Sequence, residues 1–251
     1  MKTGFIDYRD GDADLEGYFA YDEKAAEPQP LVLIAHDWSG RRTFACGMAE
    51  RMVELGYAGF ALDVYGKGVF GKDGDTAGNL ALMTPYASDR ALLRRRVNAA
   101  LACARELPGV DRQRVAAVGF CFGGMTVLEL ARSGAEVDGV ISVHGLLGTG
   151  SVPNAAISAR VLALHGHDDP MGLPSQVLAF ENEMSAAGVD WQLHVFGGTK
   201  HAFTNPVANN HDIGTVYNQL ANDRAQRAIA DFLAELFARP SGAMEEVWQA
   251  D

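Results

Sequence analysis

Arg114-Val115-Ala116-Ala117-Val118-Gly119-Phe120-Cys121-Phe122-Gly123-Gly124 is the stretch that decides how this chain reads. A short apolar run leads into a cysteine flanked by glycines. Met125, Val127, Leu128, Leu130 and Ala131 then follow at helical spacing. A strand, a sharp turn and a helix with a nucleophile at the apex form the pattern G-x-nucleophile-x-G. The apex backbone is strained, and its neighbours pack so closely that side chains at positions 119 and 123 would collide. Cys121 would then stand at a helix N-terminus, where the macrodipole and free N–H groups favour a thiolate. The structural alternative is a buried free cysteine beside a helix packed tightly through glycine.

Outward from this turn, residues 31–35 are a continuous apolar run, and 57–62, 137–143, 161–165 and 191–196 are further strand segments. They read as strands covered on both faces. Between them, helical spacing predicts helices over 43–56, 88–107 and 174–187, with a closing helix inside 213–237. Residues 1–21 read as an N-terminal hairpin turning at Asp10-Gly11-Asp12, residues 22–30 and 66–78 as loops, and the residues from about 240 as a frayed tail. The alternation predicts an α/β fold in one domain over 1–251, with a mostly parallel central sheet and helices on both faces. Ligands of such sheets bind beyond the carboxyl ends of the strands. Asp37-Trp38, Lys67, Cys121, His144, Asp168-Asp169 and His201 all fall at those ends.

Composition narrows the functional classes. The 251 residues are 48% hydrophobic and carry a formal net charge of −11. An acidic chain argues against nucleic acid or an anionic membrane as a partner. The run Arg94-Arg95-Arg96 beside Arg90 spreads around a helix and reads as a solvated face. Three cysteines, Cys46, Cys103 and Cys121, give neither a disulfide framework nor metal-ligand spacing. No cofactor or metal is expected. No stretch has the build of a signal peptide, and no apolar run reaches membrane-spanning length, so a cytoplasmic location is expected.

A cysteine nucleophile needs a base within hydrogen-bond reach, and a third group to fix the tautomer of that base. Among the seven histidines, His201 follows the final strand on a glycine-rich loop able to reach the elbow. His165 and His194 lie in strands, His211 in a polar loop, and His36 and His144 at strand ends. Asp168 and Asp169 compete for the acid, the second position of the turn favouring Asp169. The oxyanion donors expected for acyl transfer are the backbone N–H groups of Phe122 and Trp38.

With these residues in place, the chain resembles the dienelactone hydrolase family, an α/β-hydrolase branch with a cysteine nucleophile. The Gly-Phe-Cys-Phe-Gly-Gly elbow, the turn carrying Asp169 and the Gly-Thr-Lys-His-Ala-Phe segment carrying His201 match it from about residue 5 to 237. The resemblance implies a Cys121–Asp169–His201 triad, hydrolysis of a small ester or lactone, and no cofactor. It also implies that an acidic residue after the first central strand tunes the thiol, a position held here by Asp37. Two arginines of the family's pocket correspond to Lys67 and Asn205 here, and His144 joins them as a pocket candidate. A homodimer is left open. Two other readings are a non-catalytic ligand-binding relative of a hydrolase, and a flavodoxin-like cysteine enzyme acting on aldehydes.

Overall fold

Leu31, Val32, Leu33, Ile34 and Ala35 are all fully buried, as an apolar run without alternation requires. They form most of β3 (Gln29–Ala35) at the centre of the fold. The computed structural model describes residues 1–238. Before β3 stand β1 (Lys2–Asp10) and β2 (Ala13–Tyr21); after it come α1 (Thr43–Glu54), β4 (Ala58–Ala61), α2 (Thr76–Ser88) and α3 (Arg90–Arg105). The elbow strand β5 (Val110–Phe120) and its helix α4 (Phe122–Arg132) follow, then β6 (Gly139–Val143), β7 (Arg160–Gly166), α5 (Pro174–Ala186) and β8 (Trp191–Phe196). The described chain closes with the two-residue strands β9 (Asn209–Asn210) and β10 (Thr215–Val216), and α6 (Gln219–Phe237). The tail expected from about 240 lies outside the described residues.

One eight-stranded sheet runs in the order β1-β2-β4-β3-β5-β6-β7-β8, and every pair from β4 to β8 is parallel. The N-terminal hairpin adds antiparallel to β4. Side-chain alternation along β3 divides the core in two. Leu31 and Leu33 pack with α3, α4 and α5, whereas Val32 and Ile34 pack with α1 and α6. Each buried leucine or isoleucine contributes roughly 1.5–3 kcal/mol. After β3 the chain steps one way to β4 and then back across to β5. The crevice at the carboxyl ends of β3 and β5 is thus a switch point of the sheet. Ala35 stands in register with Gly119, so the Asp37-Trp38 loop and the Cys121 turn leave the sheet side by side.

Two expectations are corrected. The polar loop expected over 66–78 gives way at Thr76 to α2, which ends before a separate α3 at Arg90. Asp75 caps the first by accepting from Gly78 N–H at 2.9 Å, and Asp89 caps the second by accepting from Leu92 N–H at 2.9 Å. The arginine run is not a solvated face: Arg94 and Arg96 are buried. Arg94 Nε donates to Glu129 Oε2 at 2.7 Å, and Arg132 reaches Glu129 Oε1 at 3.1 Å and Glu183 Oε2 at 2.7 Å. These pairs join α3, α4 and α5 behind the elbow.

Candidate active site

The elbow forms because nothing larger than hydrogen fits around it. A Cβ on Gly119 would stand 1.9 Å from the Gly123 carbonyl oxygen, and one on Gly123 would stand 2.1 Å from that of Ala35. Cys121 takes φ 56° and ψ −116°, a left-handed backbone that side chains rarely adopt. Its N–H, at the apex, donates to Val143 O at 3.0 Å and to His144 Nδ1 at 3.1 Å. The neighbouring N–H groups at the start of α4 are left pointing out of the helix.

Asp169 and His201 come from the ends of β7 and β8 and are both buried. Asp169 Oδ2 accepts from His201 Nδ1 at 2.7 Å, and Asp169 Oδ1 accepts from Met171 N–H at 2.8 Å. Asp168 is exposed, and its side chain takes no part. The His201 loop is fixed by two backbone bonds, His201 N–H to Gly214 O at 3.0 Å and Val216 N–H to His201 O at 2.9 Å. Burial alone would strip the ring of its proton. The charge of Cys121 and the bond to Asp169 outweigh it, and push His201 up to about 10. His201 Nε2 is buried and has no hydrogen-bond partner among the described protein groups, so it is free to serve a reacting proton.

Cys121, His144, His201, Asp37, Trp38 and Asn205 line one cavity of about 400 Å³. His144, at φ 38°, links the two halves of the site: Nδ1 accepts from the Cys121 N–H, and Nε2 donates to Thr204 Oγ1 at 2.9 Å. Burial, then the neighbouring His201, hold His144 well below the ordinary histidine range, so the ring is neutral. Asp37 Oδ1 accepts from Ser39 N–H at 2.8 Å and from Ser39 Oγ at 2.6 Å. Lys67 does not join the site. Its ammonium is held by both oxygens of Asp7 at 2.7 Å, with Glu16 at 3.6 Å, so the hairpin draws it to the sheet edge and away from the cavity. His36 is structural: Nε2 accepts from Val64 N–H at 3.2 Å and Nδ1 donates to Asp37 O at 2.7 Å. Thr204 and Ser39, which hold the site residues in place, carry no sequence signal beyond their nearness to His201 and Asp37.

A model of the dienelactone hydrolase family matches residues 15–237. The chain belongs to that family. It is a hydrolase, and a putative carboxymethylenebutenolidase of Aquifex aeolicus is 26% identical to it, covering 80% of this chain and 86% of that protein. An uncharacterised protein of Caenorhabditis elegans, K02A2.1, is 35% identical over 60% of this chain and 99% of its own length. Among solved structures, a dienelactone hydrolase-like promiscuous phosphotriesterase, P91, from metagenomic libraries is 36% identical. Its TM-score is 0.87, and the match covers 94% of this chain and 99% of that one. A putative dienelactone hydrolase of Klebsiella pneumoniae, at 18% identity and TM-score 0.76, repeats the fold. This dienelactone hydrolase family member has, among its described residues, no group of three or more acidic, histidine or cysteine side chains able to hold a metal. No described helix is long and apolar enough to cross a membrane. Membership favours a hydrolase over both a ligand-binding relative and an aldehyde-directed, flavodoxin-like enzyme.

Proposed function

We infer that the protein hydrolyses small esters or lactones by covalent thiol catalysis at Cys121. The observation that carries this reading is the buried His201–Asp169 bond beside a cysteine held at positive φ, with sulfur and imidazole on one cavity. The Cys121 thiolate attacks the carbonyl carbon, and the developing oxyanion is received by the Phe122 and Trp38 N–H groups. Collapse expels the alkoxide, which takes the proton from His201 Nε2. Acylation removes the sulfur charge that had raised the basicity of His201, so the neutral ring left behind suits the next step. It draws a proton from water, hydroxide adds to the thioester, and collapse returns thiolate, imidazolium and the acid product.

Cys121→Ala should reduce turnover of activated aryl and enol esters by at least about a thousandfold. Its thermal midpoint should stay close to that of the parent, and the parent alone should show an acyl adduct on Cys121 by mass spectrometry. Undiminished turnover in the variant would refute the mechanism. The likeness to a promiscuous phosphotriesterase supports including a neutral phosphotriester in the same panel.

A further inference from the structure

We propose that the cavity discriminates by charge: it takes neutral or cationic esters and rejects anionic ones, with Asp37 setting the preference. The proposal rests on the hydrolase reading above.

Among the described residues, no lysine or arginine lines the cavity, although the chain carries 21 of them. The lining side chains that carry charge are Asp37, Asp73, His201 and, in the hydrolase reading, the Cys121 thiolate. Asp73 is answered by Arg42, whose Nη1 and Nη2 lie 2.5 and 3.2 Å from its two oxygens. The His201 cation is answered by Asp169 and the Cys121 sulfur. His144 is neutral. Asp37 remains: it accepts two hydrogen bonds from Ser39 through one oxygen and pairs with no cation among the described residues. Trp38, Phe44 and Phe120 line the same space, and aromatic rings attract cations at their faces. A carboxylate on the substrate would leave water with no free cation among the described lining residues to meet it and an unpaired carboxylate nearby. A quaternary ammonium would meet a carboxylate and rings.

The test uses three p-nitrophenyl esters of matched acyl length, ending in trimethylammonium, tert-butyl or carboxylate. At low ionic strength kcat/KM should be at least about tenfold higher for the cationic than for the anionic ester, with the neutral one between. The gap should narrow in about 0.5 M salt. Asp37→Asn keeps an oxygen for Ser39 and should shrink the ratio several-fold, whatever it does to overall rate. Because the ratio is taken within one enzyme, lost thiol reactivity cancels. Equal or reversed preference among esters that are turned over overturns the charge proposal and leaves the hydrolase reading standing. A preference unchanged in Asp37→Asn removes Asp37 from it and points instead to the net charge of −11.

Charged methanethiosulfonates give a readout that needs no turnover. The Cys121 thiolate forms a disulfide with the reagent and methanesulfinate leaves. The peptide carrying Cys121 is followed by mass spectrometry, and rates are divided by those of 2-mercaptoethanol. Faster labelling by the trimethylammonium reagent than by the sulfonate one, by about tenfold or more, supports the proposal even if no ester is hydrolysed. Equal rates, or faster labelling by the sulfonate reagent, overturn it.

Discussion

His201 keeps its proton well past neutrality because the Cys121 sulfur and the Asp169 carboxylate face its buried ring. The sign of the pH effect follows from that. The imidazolium, the proposed donor to the leaving group, persists until the pH climbs through about 10, instead of fading near the ordinary histidine value of about 6.5. The alkaline limb of kcat/KM for an activated ester should therefore lie between about pH 9 and 10. A limb near 6.5 would show that the ring is not held by its neighbours. At this scale the sequence was legible where chemistry is local. Cysteine between glycines, and aspartate and histidine at later strand ends, could be read without coordinates. Lys67 could not, because its partner Asp7 is 60 residues away across the hairpin. The link through His144 was hidden for a similar reason, since Thr204 sits 60 positions on and the ring's direction depends on a backbone φ of 38°.

Elements were legible in proportion to how strongly their own pattern declares them. The buried strands and α1, α3 and α4 carry clear stripes or runs. In contrast, α2 contains Gly78 and Pro85, fully buries only Asn79 and packs Leu82, Met83 and Tyr86 half-buried on the core, so its apolar face is weakly marked. Its caps, Asp75 and Asp89, were the available signal. The elbow gives the element-scale prediction. Gly123→Ala drives a Cβ into the backbone of Ala35 and His36, at 2.1 and 2.7 Å, and neither can step aside. It should destabilise the protein by about 3 kcal/mol or more in urea unfolding. Gly47→Ala, on α1 with nothing within 4 Å, should stabilise by up to about 1 kcal/mol. Similar small effects from both substitutions would show that the elbow is not sterically locked.

Across the whole molecule, three buried histidines, His36, His144 and His165, all lowered chiefly by burial, set how the fold meets acid. His36 Nε2 and His144 Nδ1 each accept a backbone N–H, so a proton on either would face another hydrogen. Burial, as the largest cause, lowers both below the ordinary value. The folded protein therefore binds fewer protons than the unfolded chain as pH falls through about 6.5, and stability falls with it. His201, raised, is already protonated when folded while its unfolded counterpart takes up a proton near 6.5, so it offsets part of that loss. From pH 7 to 5.5 the loss, read from urea midpoints, should be at most about 1 kcal/mol for each lowered ring, less what His201 returns. His36→Gln should make the drop smaller. A flat profile would mean that these rings are not held neutral.

The parts of the cavity have different origins. Sulfur, carboxylate and imidazole follow the ends of the parallel strands β5, β7 and β8, whereas Asp73, Thr76, Asn205 and Ile213 belong to connecting segments or to the first turn of a sparsely buried helix. Replacements in those outer segments disturb little of the packed interior. Descendants of this scaffold can thus change diet while the bond-breaking apparatus stays the same, and directed evolution has a separate dial for each.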